Sequence, residues 1–454
     1  MTERKLFGTD GIRGVADAFP LDPETTFAIG HALARHLAKS AGRRRVVIGQ
    51  DTRESSLSIA DSVSAGLAAE GVDVVSAGVI TTPGIAHLAR CRKFDAGVVI
   101  SASHNPWTDN GIKVFGSDGY KLPDQIELEV EREIFAGLEQ ASGEPPAQAG
   151  VSTLPGNSGL QLDYVEHLIV GVAPVHRRLK LVVDCAHGAA SAVAPDVFAR
   201  WSKELSVEFI HRDPNGRNIN DHCGALYPET VGRAVVEHKT DLGITFDGDA
   251  DRALFADATG KVVNGDAVLL LAARDMKAAG RLRNDRVVAT TMSNMGLEAA
   301  LKRSGIRMLR APVGDKYVLE EMHKHGASLG GEQSGHIIFL DDATTGDGLL
   351  TALHLLRIVG GSGKSLAELV ADLKVFPQVI KNVRVREKQP LMDIPMVAQV
   401  IREAEQALDG NGRVVVRYSG TETLARVMIE AESEHEMHRY ADSIVAAIQR
   451  ALGV

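Results

Sequence analysis

The sequence predicts an α/β protein: three similar α/β domains followed by a smaller C-terminal α+β domain. Three observations lead there. Short β-branched runs alternate with longer segments of helical period, the mark of successive βαβ units. That alternation returns three times, each time with a polar loop where a strand ends. After about residue 373 the pattern changes to strands and helices that fit a smaller α+β domain. At 454 residues the chain is too long for one ordinary hydrophobic core, which independently requires several domains.

The first block reads RRRVVIGQD (43–51), SLSIADSVSAGLAAEG (56–71), VDVVSAG (72–78) and FDAGVVIS (94–101). The second is LKLVVDCAHGAASAVAPDVFARW (179–201), LSVEFI (205–210) and DLGITF (241–246). The third is DRVVATTMSNMGLEAALKRSG (285–305), then IRMLR and the helical KYVLEEMHKHG. Around VIKNVRVRE, GRVVVRYSG and the helices MVAQVIREAEQAL and HEMHRYADSIVAAIQRAL, a two-layer core is expected. The Pro, Gly and Ser of ASGEPPAQAGVSTLPGNSG (141–159) mark a linker. The expected domains are 1–155, 156–255, 256–373 and 374–454.

Composition narrows the function classes. Hydrophobic content of 44%, charged content of 24% and 4% aromatic residues describe a globular chain and argue against a base-stacking nucleic-acid binder. A formal charge of −9 disfavours non-specific attraction to nucleic acid or anionic membrane. Cys91, Cys185 and Cys223 fit no disulfide or zinc framework, which points to a reducing, cytoplasmic setting. MTERKLFGTDGIRG has no apolar signal core and no run is long enough to span a bilayer, so neither export nor membrane insertion is expected.

Four loops carry chemistry. SASHNPWTDNGIKVF (101–115) leaves a buried strand and returns along the next one, bringing Lys113 back to the end where Ser101, Ser103 and His104 sit. A hydroxyl beside a cation suits phosphoryl transfer, although serine, asparagine and proline also form ordinary turns, and the loop alone leaves both readings open. TFDGDADRA (245–253) sets Asp247, Asp249 and Asp251 at alternate positions, a crowding that a hard divalent cation relieves. An EF-hand is excluded because its sixth position is Arg252, not glycine, and its twelfth is Ala258, not glutamate. Arg252 is instead placed to hold a phosphate oxygen.

GGEQSGH (330–336) offers Glu332, Gln333, Ser334 and His336, the donor and acceptor mixture that polyols need, or else a glycine-rich turn between strands. In VVVRYSGTETLARV (414–427), Arg417, Ser419, Gly420 and Thr421 make an anion cradle. GGSGKSL (360–366) imitates a phosphate-binding P-loop, but Ile358 stands where its first glycine belongs and a helix precedes it; Ser365 is read as a helix cap.

Taken in this order, SASHNP, DGDADR, GEQSGH and RYSGTE resemble the four loops of the α-D-phosphohexomutase family across essentially the whole chain. LFGTDGIRG, VDCAHGA, TTMSNMGLE, PVGDKYV and Gln333 bring it nearest to the bacterial members acting on amino sugars. Tyr418 and Thr423 replace prolines usual in those members, and Trp107 stands where Phe or Tyr is commoner.

The resemblance implies mixed sheets, four domains around a central cleft, and reversible conversion of glucosamine 6-phosphate to glucosamine 1-phosphate, with mannose or glucose phosphates, or mere sugar-phosphate binding, as the alternatives. It implies phosphoserine at Ser103, Mg²⁺ held by Ser103, Asp247, Asp249 and Asp251, and a hexosamine or glucose 1,6-bisphosphate intermediate. Lys113 and Arg13 would accept the sugar proton or stabilise the transferring group, His104 with Arg252 and Arg53 would complete the phosphoryl pocket, and Ser101 would be a bystander. Arg252, Glu332, Ser334, His336, Arg417, Ser419, Gly420 and Thr421 would bind substrate. A small phosphosugar partner and a homodimer are expected on the same ground.

Overall fold

The computed structural model describes residues 5–8, 10–37, 44–140, 157–408, 411–418 and 423–454. These divide into two compact units, one of residues 1–292 with 306–370 and the other of 293–305 with 371–454.

The first unit contains three mixed sheets. The first sheet has the strand order Phe7–Gly8, Gly11–Val15, Asp109–Gly116, Ala96–Ile100, Arg45–Gln50, Asp73–Val79. Its last three strands run parallel, as βαβ crossovers require, and Asp109–Gly116 turns back antiparallel to Ala96–Ile100 with Lys113 opposite Val99. AGVVI is buried along its whole length because helices cover both faces, which is why it reads as a continuous apolar run instead of an alternating one. Ile12, Val98, Ile100 and Ile112 are fully buried in this core, each contributing about 1.5–3 kcal/mol of transfer free energy.

The second sheet runs Val262–Val263, Ala253–Asp257, Leu242–Phe246, Leu179–Asp184, Leu205–Ile210, with the last three parallel. The third runs Arg307–Ala311, Arg286–Thr290, Leu329–Gly331, Ile337–Phe339, parallel except for its final strand. In each sheet the chemical loop joins a strand to an antiparallel neighbour: 101–108, 247–252 and 332–336. GGEQSGH is thus both a turn between strands and a cluster of polar side chains.

In the second unit, strands Gln378–Arg384, Leu424–Ala431 and Gly412–Tyr418 form an antiparallel sheet backed by helices Pro395–Ala407 and Glu434–Leu452. Helix Met295–Arg303 belongs here too, although its sequence follows a strand of the third sheet. Asn294 caps that helix through Gly296 N–H and bonds the Phe376 carbonyl and Glu430.

GGSGKSL is not a phosphate loop. Ser365 and Glu368 form a reciprocal capping box at the start of helix Leu366–Val370, with Ser365 N–H donating to Glu368 at 2.8 Å and Glu368 N–H to Ser365 at 3.3 Å. The three cysteines are free. Among the described residues no helix is long and apolar enough to cross a membrane.

Candidate active site

Ser103 occupies a left-handed backbone conformation, φ 52°, at the start of the first loop. Such a conformation is strained for a serine and persists where neighbours fix it. Ser101 Oγ accepts the Ser103 N–H at 3.0 Å and donates to buried Asp51 at 2.5 Å. The Ser103 carbonyl accepts from Arg53 at 3.2 Å and Asn220 at 2.9 Å. Arg53 is wholly buried against Asp51, so it braces the loop backbone instead of facing a phosphoryl group. Ser101 is likewise not a bystander, since it holds the turn in which Ser103 sits.

The Ser103 hydroxyl donates to Asp247 Oδ2 at 2.6 Å and lies 3.3 Å from His104 Nδ1. Serine loop and aspartate loop meet closely because residue 248 is glycine: a Cβ there would stand 2.5 Å from the Ser103 carbonyl oxygen. Other elements stitch the aspartate loop in place. Thr82, at the start of helix Thr82–Cys91, donates its N–H to the Asp249 carbonyl at 3.0 Å and its hydroxyl to Asp249 Oδ2 at 2.6 Å. Gly348 N–H reaches the Ala250 carbonyl at 3.0 Å, and Ala253 N–H the Gly335 carbonyl at 3.1 Å.

Asp247, Asp249 and Asp251 are buried and each offers an oxygen within 4.8 Å of the others. At that separation each like-charge pair costs roughly 3–4 kcal/mol at an effective dielectric near 20. Lys113 Nζ offsets this at two corners, 2.8 Å from Asp249 and 3.5 Å from Asp251, and it also lies 3.0 Å from Asp10. Asp247 has only the more distant Arg252, at 4.0 Å: burial first, then Asp251 and Asp249, outweigh it and push the carboxyl well above the usual range. Burial also opposes ionisation of Asp251, but Lys113, His336 and Arg252 outweigh it and hold that carboxyl low.

Lys113 is driven the other way from what its burial alone would do, since Asp10, Asp249 and Asp251 keep it firmly cationic. Oδ1 of Asp249 and Oδ1 of Asp251 are buried without a hydrogen-bond partner among the described residues. An all-oxygen, partly unsatisfied, over-charged donor set fits a hard divalent cation.

A second group, Asp184, His211 and Cys223, has comparable spacing. Its carboxylate already accepts from Ala186 and Gly224 N–H, at 2.8 and 3.0 Å, which accounts for it within the fold.

A cavity of about 370 Å³ opens beside the aspartates, lined among others by Arg13, His104, Arg252, Asp315, Glu332 and His336. Arg13 donates to Asn105 at 3.1 Å and is paired with Asp10. Burial, then Arg252 and Arg13, lower the His104 imidazole to about 4, leaving it neutral near pH 7. Arg252 stands 3.8 Å from Asp251 and 4.0 Å from Asp247.

Glu332 Oε1 accepts the Gly314 N–H at 3.0 Å, and Ser334 donates to Oε2 at 3.3 Å. Burial lowers the His336 ring, but Asp251, Asp315 and Glu332 overcome this and raise it to about 9. The Gly346 N–H aimed at Nε2 at 3.1 Å opposes a second ring proton. The His336 Nδ1 stands 3.6 Å from Asp251, an ion-pair separation longer than a hydrogen bond.

Thus Arg13, Ser103, His104, Lys113, the three aspartates, Arg252, Glu332, Ser334 and His336 come together in the first unit. Arg417 lies on the exposed end of strand Gly412–Tyr418 in the second unit, and Ser419, Gly420 and Thr421 fall outside the described residues. Tyr418 donates its hydroxyl to the Gln389 carbonyl at 2.5 Å, and Trp107 carries the Arg217 guanidinium 5.0 Å above its ring. Sequence reasoning missed Asp10, Thr82, Lys121, Asn220 and Asp315. Of these only Asp10 had a local signal, its spacing of three from Arg13.

Comparison with known proteins gives four consecutive matches. They are phosphoglucomutase/phosphomannomutase alpha/beta/alpha domain I over residues 4–141, domain II over 162–260, domain III over 264–376 and the C-terminal domain over 380–447. A phosphoglucosamine mutase of Koribacter versatilis is 61% identical over 455 residues, covering 99% of this chain and 98% of that protein.

Among solved structures, a phosphoglucomutase/phosphomannomutase family protein of Burkholderia thailandensis superposes with a TM-score of 0.80 at 23% identity, covering 99% of each chain. The Aspergillus fumigatus N-acetylphosphoglucosamine mutase, in complex with GlcNAc-6P and magnesium, gives 0.66 at 20% identity over 100% of this chain and 96% of that one.

Proposed function

The chain belongs to the phosphoglucomutase/phosphomannomutase family, as an isomerase of the phosphoglucosamine mutase type, and we propose that it interconverts glucosamine 6-phosphate and glucosamine 1-phosphate through phosphoserine at Ser103. The observation that carries this is the contact of Ser103 Oγ with Asp247 inside a buried aspartate cluster that Lys113 only partly neutralises.

Asp247, Asp249 and Asp251, with Ser103, would hold Mg²⁺, which when bound supplies charge neutralisation at the serine oxygen and the phosphoryl oxygens. In the first half-reaction the bond between phosphorus and Ser103 Oγ breaks as one forms to a sugar hydroxyl, giving the 1,6-bisphosphate. The sugar turns over and the other phosphate returns to Ser103. Lys113, held cationic by three carboxylates, is unsuited to take a proton and instead stabilises the transferring group. Neutral His104 keeps a lone pair beside the serine oxygen and is our choice for the sugar proton.

Arg13 and Arg252 bring positive charge to the cavity. Glu332 and Ser334 present acceptor and donor to sugar hydroxyls, and His336 steadies Asp251. Arg417, with Ser419, Gly420 and Thr421, is proposed to grip the phosphate that does not react. The division 1–155, 156–255, 256–373 and 374–454 gives one such loop to each domain. A cytoplasmic location and homodimeric assembly complete the reading on family membership.

The test is catalytic efficiency with Mg²⁺ and a 1,6-bisphosphate activator on glucosamine 6-phosphate, mannose 1-phosphate and glucose 1-phosphate, with mass spectrometry of the Ser103 peptide. Preference for glucosamine 6-phosphate and a phosphate on Ser103 are expected. Higher efficiency on either of the others, or an enzyme that turns over without ever carrying phosphate there, overturns the proposal.

A further inference from the structure

The cavity carries two kinds of charge. Arg13, Arg252 and the partly buried His104 suit a phosphate, but Asp315 and Glu332 face the same space. Asp315 opens helix Asp315–His325, where the helix dipole favours a carboxylate. Its neighbour Gly314 takes φ 128°, a conformation open to glycine, and its N–H binds Glu332 Oε1 at 3.0 Å. Glu332 is therefore anchored to the backbone residue that precedes Asp315, and both residues line the cavity.

Lys121 bridges Asp315 and Asp10 at 2.5 Å each; Asp10 has Lys113 and Arg13 besides, and His336 Nε2 lies 3.9 Å from Asp315, so Lys121 is the one ammonium close to Asp315 among the described residues. Glu332 has no cation within 4.0 Å among the described residues; its contacts are Gly314 N–H and Ser334 Oγ, and Arg252 and His336 act on it from farther off. A hydroxyl-bearing hexose phosphate offers this wall nothing charged. A hexosamine phosphate offers one protonated amine.

We propose that Asp315, beside Glu332, is a specificity-determining residue that binds the protonated 2-amino group of the substrate and so separates hexosamine phosphates from hexose phosphates. This rests on the hexosamine reading above. A charge-assisted hydrogen bond to a partly buried carboxylate is strong, and it is lost whole when the amine becomes a hydroxyl.

The experiment measures kcat/KM on glucosamine 6-phosphate and glucose 6-phosphate for the wild type, Asp315→Asn and Lys121→Met. Asparagine keeps an acceptor for Lys121 but removes the charge, and the amine-to-hydroxyl ratio should fall about tenfold or more. Lys121→Met disturbs the same bridge while keeping the carboxylate, and its ratio should hold or rise. A ratio unchanged in Asp315→Asn, or falling equally in both variants, overturns this inference.

A wild type with no preference for the amine overturns the hexosamine reading itself, so the two failures are distinguishable. If Asp315→Asn does not fold, the wild-type ratio against pH decides. It should fall as the substrate amine loses its proton, and a flat ratio overturns the inference.

Discussion

Replacing Lys113 by methionine keeps the stem and deletes an ammonium that lies within 3.5 Å of three carboxylates. Lys113, Asp249 and Asp251 are 1%, 1% and 7% exposed, so solvent does little to soften the loss. Asp10 is 24% exposed and retains Lys121 and Arg13, and its share is discounted accordingly. Removing one partner of a buried pair costs about 3–5 kcal/mol. In a cooperative unit of 150–250 residues that corresponds to a fall in melting temperature of roughly 6–20 °C.

Mg²⁺ should recover more of this in the variant than it adds to the wild type, because it binds the folded aspartate cluster whose repulsion the lysine no longer offsets. Turnover should drop at least a hundredfold with loss of stabilisation of the transferring group. Scanning fluorimetry with Mg²⁺ and with a chelator, alongside a coupled turnover assay, measures all three effects. A variant melting within about 2 °C of the wild type, with the same response to Mg²⁺, would refute the charge balance argued for this site.

Ser103→Ala should abolish turnover while leaving the fold intact. Ser101→Ala should retain measurable turnover yet lose about 1–3 kcal/mol of stability, since it unpairs the buried Ser103 N–H and takes one of two donors from an Asp51 oxygen that Arg53 still holds; full activity with unchanged melting would deny Ser101 its bracing role. Thr82→Val removes the 2.6 Å bond that orients Asp249 and should weaken Mg²⁺ binding about 10–100-fold by calorimetry, with no change expected if Asp249 is oriented by other means.

His87 and His167 stack at 4.0 Å. Burial, then His167 and Arg90, lower His87 to about 3. A lowered histidine contributes stability above pH 6.5 that is lost as pH falls toward its folded value, here about 2–3 kcal/mol by pH 4 after allowance for solvent screening. His87→Gln should flatten chemical denaturation midpoints between pH 6.5 and 4, and an unchanged acid slope would reject that assignment.

Much of the site was legible because its chemistry is local. Ser103 with His104, the alternate aspartates, and Glu332 with Ser334 each lie within a few residues, and the order of the four loops along the chain, more than the spacing in any one, singled them out. Strand polarity added Lys113, since a run returning from the serine loop must bring its side chains back toward the same sheet end. The αβ alternation likewise pointed to three successive α/β blocks and to the change of pattern after residue 373, while the antiparallel strands that make the sheets mixed were not in it.

What the sequence could not express is pairing across long separations. Thr82 reaches Asp249 over 167 residues, and Lys121 reaches Asp315 over 194. Helix Met295–Arg303 joins a unit otherwise built from residues 371–454.

By itself the chain determined which groups could react, because functional groups and their local spacing are written residue by residue. Only the tertiary structure decided their states. Whether Lys113 is a base or a fixed cation, whether Ser101 is idle or a brace, and whether Asp315 is surface or cavity wall depend on burial and on partners brought in from other sheets. Those two quantities exist only once the chain has folded.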